Sequence, residues 1–302
     1  MILREMPPIW DPGFRPGFYA RWGQENAVIS ATTRRAEYPE YRQLLSVKMM
    51  RGGSEDYFID GRRVAVDDDT FLILNAGRRY ASRIDGLKPA HSFSVFFRPG
   101  LAEEVLDSML RPAAALLSNP QASSTRTVEF DEQLREHDRS VTPALRFIQG
   151  VVDAGSAEPL WLEEQLRFLM ARMLAQEQLR VQVQERVPSA KATTRRELHR
   201  RLRLGVTYIH THYREAIALR QVAAAAHMSS FHFLRTFRAV YGVTPSVYLN
   251  RKRTAAAVRL IRGSGWPLTE VAEHVGFGSR TTLYRQLRVH GGGRQKPDLI
   301  QQ

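Results

Sequence analysis

Leu219-Arg220-Gln221-Val222-Ala223, His227-Met228-Ser229-Ser230 and Phe233-Leu234-Arg235-Thr236-Phe237-Arg238 form a pattern that recurs further along the chain. The second copy is Leu268-Thr269-Glu270-Val271-Ala272, Gly276-Phe277-Gly278-Ser279 and Leu283-Tyr284-Arg285-Gln286-Leu287-Arg288. The front halves are offset by 49 residues and the back halves by 50, so the second turn holds one extra residue. Leu219, Val222, Ala223 and Ala226 give the first short helix an apolar face. Leu268, Val271, Ala272 and Val275 do the same in the second copy. Phe233 and Phe237, like Leu283 and Leu287, stand four apart and so share one side of a following helix. Ser229 or Ser230 is a natural N-cap for it. A short helix, a tight turn and a second helix make a helix-turn-helix, the motif whose second helix enters the DNA major groove.

The charge is partitioned in the same way. The 302-residue chain carries +13. Residues 191–302 hold 20 Lys and Arg against 5 Asp and Glu, and residues 1–190 hold 24 against 26. The positive excess therefore sits on the repeats, as expected of a neutral sensor joined to a DNA reader. Cysteine is absent, which excludes disulfides, thiol catalysis and cysteine-ligated zinc. No apolar run reaches the roughly 18 residues of a membrane span, and the start lacks a secretory signal pattern. A cytoplasmic protein is expected.

The first hundred residues read as strands. Tyr57-Phe58-Ile59, Asp60-Gly61 and Arg62-Arg63-Val64-Ala65-Val66 spell a hairpin, because Asp-Gly suits a turn with positive φ angles. Thr70 to Leu74 is an apolar, β-rich run, and Ser92 to Phe97 is another that ends at Pro99-Gly100. Short strands with regular turns predict a small barrel or sandwich. From Leu101 the pattern turns helical, with a polar loop over residues 118–127 and a long helix over 160–187 ending at Pro188. Its stripe of Leu162, Leu166, Leu169 and Met173 has two readings: a seam to a second chain, or packing on its own domain. Residues 188–194 read as a linker, and helices are predicted over 195–212 and 247–262.

The run from Val222 to Arg238, continued by Gly242-Val243-Thr244-Pro245-Ser246-Val247-Tyr248-Leu249 and by Leu268 to Arg288 with Gly276-Phe277, resembles the AraC/XylS family of bacterial transcription regulators. The resemblance covers about residues 196–288. It implies a seven-helix domain whose two helix-turn-helix units are joined by the 247–262 helix. It places base-contacting residues at Phe231, Leu234 and Arg235 in the first unit and at Arg280, Thr281 and Arg285 in the second. Arginine suits that role because its fork matches two acceptors on guanine, and threonine can meet a base or a thymine methyl. The plainer reading of each arginine is a solvated charge or a phosphate contact, which adds affinity without discrimination.

The N-terminal half resembles the cupin-type effector domain found in many members of that family. The predicted class is α+β, with a cupin-like β-barrel and a C-terminal all-α domain. The expected division is an effector-sensing domain at 1–110, a helical linker or dimerisation region at 111–190 and the DNA-binding domain at 191–302. Tyr80 and His91 are conceivable pocket residues, although structural roles are commoner for such side chains. No ligand-binding residue, catalytic residue, cofactor or metal site is assigned. The sequence lacks the compact His/Glu constellation of a metal cupin. The implied partners are double-stranded promoter DNA, an unknown small-molecule effector, a second copy of the chain and, as a further candidate, RNA polymerase. Two rival readings are a ligand-independent regulator whose first domain only dimerises, and a cupin enzyme tethered to DNA. After Arg288 the chain departs from the pattern of the first unit. Gly291 to Gln295 replaces the Tyr241–Pro245 segment, and Asp298 falls where Tyr248 would map.

Overall fold

The computed structural model describes residues 1–110, 127–185 and 192–290. Residues 118–126 of the predicted loop, most of the 188–194 linker and the divergent 291–302 tail lie outside these residues. The chain divides into two compact units, Met1–Ser189 and Ala190–Gln302.

Among the described residues, eight strands and four helices build the first unit: β1 (Ile2–Leu3), α1 (Arg15–Arg21), β2 (Ala27–Arg42), β3 (Ser46–Arg51), β4 (Ser54–Ile59), β5 (Arg62–Asp67), β6 (Thr70–Leu74), β7 (Arg79–Phe96), α2 (Leu101–Leu110), β8 (Leu134–Glu136), α3 (Val141–Asp153) and α4 (Pro159–Glu185). The two long strands β2 and β7 run antiparallel and are interrupted by register shifts at Thr33/Arg35 and Tyr38/Tyr41. The far half of β7 also pairs with β3, and its near half pairs with β4. The order is β1-β2-β7-β3-β6-β8, with the β4–β5 ribbon branching from β7. The α+β class holds, but the strand order is open and does not form a closed barrel. The predicted hairpin is present, with Asp60 and Gly61 at φ of 50° and 71°. Both central residues of this turn are left-handed, the geometry that matches strand twist.

Alternation along the strands sends side chains to two different interiors. Val47, Met49, Phe71, Ile73, Phe93 and Val95 enter a core shared with α2, α3 and α4. Met50, Leu72, Leu74 and Tyr80 enter a second core against Tyr57, Ile59 and Val66. This explains why Thr70–Leu74 reads as a continuous apolar run: both faces of β6 are covered. Leu162, Leu166, Leu169 and Met173 all belong to the first core and are 0–5% exposed. They pack on their own domain, which removes them as a seam to another chain.

The second unit is helical: α5 (Ala192–His212), α6 (Leu219–Ala225), α7 (Ser230–Tyr241), α8 (Pro245–Ser264), α9 (Leu268–His274) and α10 (Arg280–His290). It holds two cores. Phe233 and Phe237 join Val222, Ala223 and Ala226 beneath α5, and Leu283 joins Val271, Ala272 and Val275 beside α8. Leu249 on α8 packs against both cores. Gly205 on α5 is required by this packing, since a Cβ there would lie 2.6 Å from the Phe233 ring.

Burial of the α4 stripe yields a clear expectation. Leu166→Asp places an unpaired charge in a fully buried site, which costs several kcal/mol (about 3–5). Circular dichroism and melting should show the first unit unfolding, and not an intact fold with altered association.

Candidate nucleic-acid interface

The two helix-turn-helix units match bond for bond. In the first, the His227 N–H donates to Ala224 O and the Met228 N–H to Ala223 O, both at 2.9 Å. In the second, Gly276 N–H donates to Glu273 O at 3.0 Å and Phe277 N–H to Ala272 O at 2.9 Å. Each short helix thus ends in a Schellman-type reversal. Its left-handed residue is His227 (φ 53°) in one copy and Gly276 (φ 84°) in the other. Glycine is needed at 276 because a Cβ would come within 2.6 Å of Arg214 O. The extra residue, Gly278, is also left-handed at φ 68°. A serine then starts each second helix. Ser229 Oγ accepts from His232 N at 3.3 Å and Ser279 Oγ from Thr282 N at 3.2 Å.

These starts set the faces of the reading helices. Buried Phe233 and Phe237 anchor α7, which leaves Phe231, His232, Arg235 and Arg238 exposed. Phe231 is 76% exposed, unusual for a large apolar ring. Leu234, expected to reach bases, is half-buried. Buried Leu283 anchors α10, which leaves Arg280, Thr281, Tyr284, Arg285 and Arg288 exposed. The 50-residue offset makes Arg235 and Arg285 equivalent, as it does Arg238 and Arg288. Among the described residues none of these four makes an ion pair or hydrogen bond. Their guanidiniums are available to an outside anion or base. Arg253 is different: it donates to Tyr213 O at 2.6 Å and Glu215 O at 2.7 Å, tying the α5–α6 connection to α8.

The two pocket residues proposed from sequence part company. His91 sits at the sheet surface, where Ser30 Oγ meets its Nε2 and Thr32 Oγ1 its Nδ1, both at 3.0 Å. Ser30 also donates to Asp153, whose carboxylate lies 3.6 Å from the same Nε2. Serine and acid share one ring nitrogen, so a relay through the ring of the serine-histidine-acid kind is not formed. The cluster clasps β2 and β7 to the end of α3. Burial pushes the His91 ring down from its ordinary value, opposed by the Asp153 charge. Among the described residues no group of three or more His, Asp or Glu is placed to hold a metal ion.

Tyr80 instead lines a cavity of about 40 Å³ on the second face of the sheet. Its lining residues on β7 are Tyr80, Ser82, Ser92, Ser94 and Phe96, all of one parity, joined by Lys48 from β3 and Glu55 and Tyr57 from β4. Lys48 is 3% exposed, and its Nζ lies 3.4 Å from the Phe96 ring centroid and 5.7 Å from that of Tyr80. Glu55 is 4% exposed and accepts from Ser92 Oγ at 3.1 Å and from the Tyr57 hydroxyl. Burial pushes the Lys48 ammonium down to about 7, against the attraction of Glu55. The sequence reading passed over Lys48 and Glu55. The available signal was a lysine inside the buried run Ser46-Val47-Lys48-Met49-Met50.

Comparison with known proteins places this geometry. A helix-turn-helix domain family model matches residues 222–292. The probable transcriptional regulator LumQ of Photobacterium leiognathi is 31% identical over 81 residues, 27% of this chain and 33% of that protein. The chain thus spans about a third of the length of this curated relative. The DNA-binding domain of AdpA, solved in complex with a target DNA, is 33% identical over 30% of this chain and 83% of that one, with a TM-score of 0.29. Apo ToxT from Vibrio cholerae aligns over 88% of this chain and 93% of that one, at 9% identity and a TM-score of 0.36.

Lys48 gives the first unit a pH signature. The folded chain releases this proton near pH 7, whereas the unfolded chain holds it to about 10.5. Between these values the unfolded state binds more protons, so stability rises with pH. Lys48→Met should therefore melt above the wild type at pH 6 and show a smaller rise between pH 7 and 10. Parallel melting curves at these pH values check it.

Proposed function

We propose that this chain, whose residues 222–292 match a helix-turn-helix domain family model, is a cytoplasmic transcription regulator of the AraC/XylS family. It binds double-stranded promoter DNA through residues 191–302 and is controlled by a small molecule held in the first unit. The observation that carries the DNA reading is the pair of equivalent, unpaired arginines Arg235 and Arg285 on two matched reading helices. The +15 balance of residues 191–302 adds nonspecific attraction to phosphates. Phe231, Leu234 and Arg235, with Arg280, Thr281 and Arg285, are the proposed base-side residues. Half-buried Leu234 offers least, and exposed Phe231 suits a thymine methyl. Arg238 and Arg288, one turn further along, suit phosphates.

A fragment of residues 191–302 should bind DNA with an affinity that falls steeply as salt rises, and residues 1–187 should not bind. Replacing Arg235 or Arg285 by Ala should cost about 1–3 kcal/mol at the specific site and relax preference at one or two base positions. Replacing the exposed Arg262 should weaken all sequences alike. Selection of binding sites by each folded variant is the test. Unchanged preferences in both Arg235→Ala and Arg285→Ala would sink the assignment, and promoter binding by residues 1–187 alone would sink the division of labour.

The effector reading is supported by the cavity with Lys48 and Glu55, charged side chains buried among aromatic rings. We also propose a homodimer, with RNA polymerase as a further partner on the promoter. With the α4 stripe buried, one apolar surface available among the described residues lies on α3 and α4. There Phe147, Leu160 and Phe168 are 56%, 83% and 57% exposed, and Phe147 packs edge-on to Trp161. Phe147→Ser with Phe168→Ser should leave melting nearly unchanged and shift sedimentation from dimer to monomer at micromolar concentration. A wild type that sediments as a monomer there would remove the dimer.

A further inference from the structure

The ligand class of the cavity can be read from the groups that line it. This step rests on the effector reading above. Lys48 Nζ lies within the wall of the cavity and makes no hydrogen bond to any described residue. Its nearest interactions are the Phe96 and Tyr80 rings. Glu55, the one carboxylate in the lining, already receives Ser92 and Tyr57. Tyr80 Oη and Gln43 Oε1 are buried in the same wall without a well-directed hydrogen bond. A buried amine with unused donors, lining the same cavity as an unused amide oxygen, is a costly arrangement that a ligand can relieve.

We propose that the cavity takes a small, uncharged aromatic molecule whose carbonyl oxygen accepts from Lys48 and whose polar hydrogen, where it has one, reaches Gln43. The aromatic part follows from the lining, which includes Trp22, Tyr41, Tyr57, Tyr80 and Phe96. Such rings favour a flat partner in offset or edge-on contact. The absence of net charge follows from the balance already present. One ammonium and one carboxylate share the site, and a ligand anion would face Glu55 while a ligand cation would face Lys48. Neither charge is well screened where water is excluded. A neutral acceptor has a further advantage. Lysine donates a hydrogen bond whether or not it carries its extra proton, so a carbonyl keeps its partner as the amine, held down to about 7, titrates. A carboxylate would lose the charge it binds. At about 40 Å³ the cavity holds a water or two, so a ring enters only as its non-strand wall of Met6, Pro7, Phe18 and Trp22 yields.

The experiment uses the full chain and four benzene derivatives of similar size: benzamide, toluene, benzoate and benzylamine. Each is titrated at pH 6, where Lys48 holds its extra proton, by calorimetry and by thermal shift. Benzamide is expected to bind and raise the melting temperature, with affinity at least about tenfold above the other three. In Lys48→Met that advantage over toluene should vanish. The comparison of probes on the wild type stands even where the variant fails to fold. Toluene binding as tightly as benzamide overturns the role of Lys48. A preference for benzoate or benzylamine overturns the uncharged class but leaves the cavity standing as an effector site. Silence from all four overturns both the class and the cavity as an aromatic effector site.

Discussion

Both reading helices depend on one backbone event, a reversal through a left-handed residue followed two or three residues later by a serine cap. If the chain left α6 or α9 in any other direction, the next helix would not lie across the first with its apolar side inward. The reversal is costly for a side chain with a Cβ. The second helix-turn-helix meets that cost with Gly276 and Gly278, and the first with His227 alone. The difference has a local cause. At Gly276 the backbone of Arg214 comes so close that no side chain fits, whereas His227 stays exposed. Two copies of one motif therefore reach the same hydrogen bonds with different residues.

The reversal fixes direction, and packing fixes rotation. In α7 the rotation is held by Phe233 against Gly205 and by Phe237, whose ring stacks on Tyr241 at 4.5 Å and meets Tyr248 edge-on at 5.6 Å. Tyr248 in turn meets His210 Nε2 at 3.0 Å, which ties α8 to α5. The exposed faces of Arg235 and Arg238 are thus set by contacts on the far side of the helix. An arginine that reads a base needs this indirect rigidity, because its own long side chain supplies none. In α10 the corresponding hold is lighter among the described residues: Leu283 is fully buried, and Leu287 only partly.

The second unit was legible in the sequence almost element by element, because its signals are local. Repeat spacing, small residues at close approaches, serine caps and paired aromatics each act within a few residues. The first unit was legible where the same holds, at the Asp60-Gly61 turn and in the Thr70–Leu74 run. It was not legible where pairing is remote. Residues 27–42 and 79–96 form the longest strands, yet each contains charged or small residues and a bulge that blur alternation. The α4 stripe shows the limit from the other side. A heptad-like pattern records that one face is buried, and says nothing about which surface buries it. Lys48 was missed because a charge in an apolar run reads as an interruption, when its side chain faces the opposite side of the sheet from Val47 and Met49.

That opposition of faces explains how the first unit can hold such a residue. On one side of β3, β6 and β7 the side chains are almost all aliphatic or aromatic, and they meet three helices in a continuous core. This face supplies the larger apolar core, and Met50, Leu72 and Leu74 add a smaller one on the other face, at about 25 cal/mol for each Å² of apolar surface buried. The other side carries serines, a lysine and a glutamate among rings, groups whose desolvation is only partly repaid. A sheet folded from its polar face alone would not be stable, and one with two wholly apolar faces would leave Lys48 and Glu55 without polar neighbours. The alternation of strand side chains, one residue in each direction, lets the same strands serve both ends.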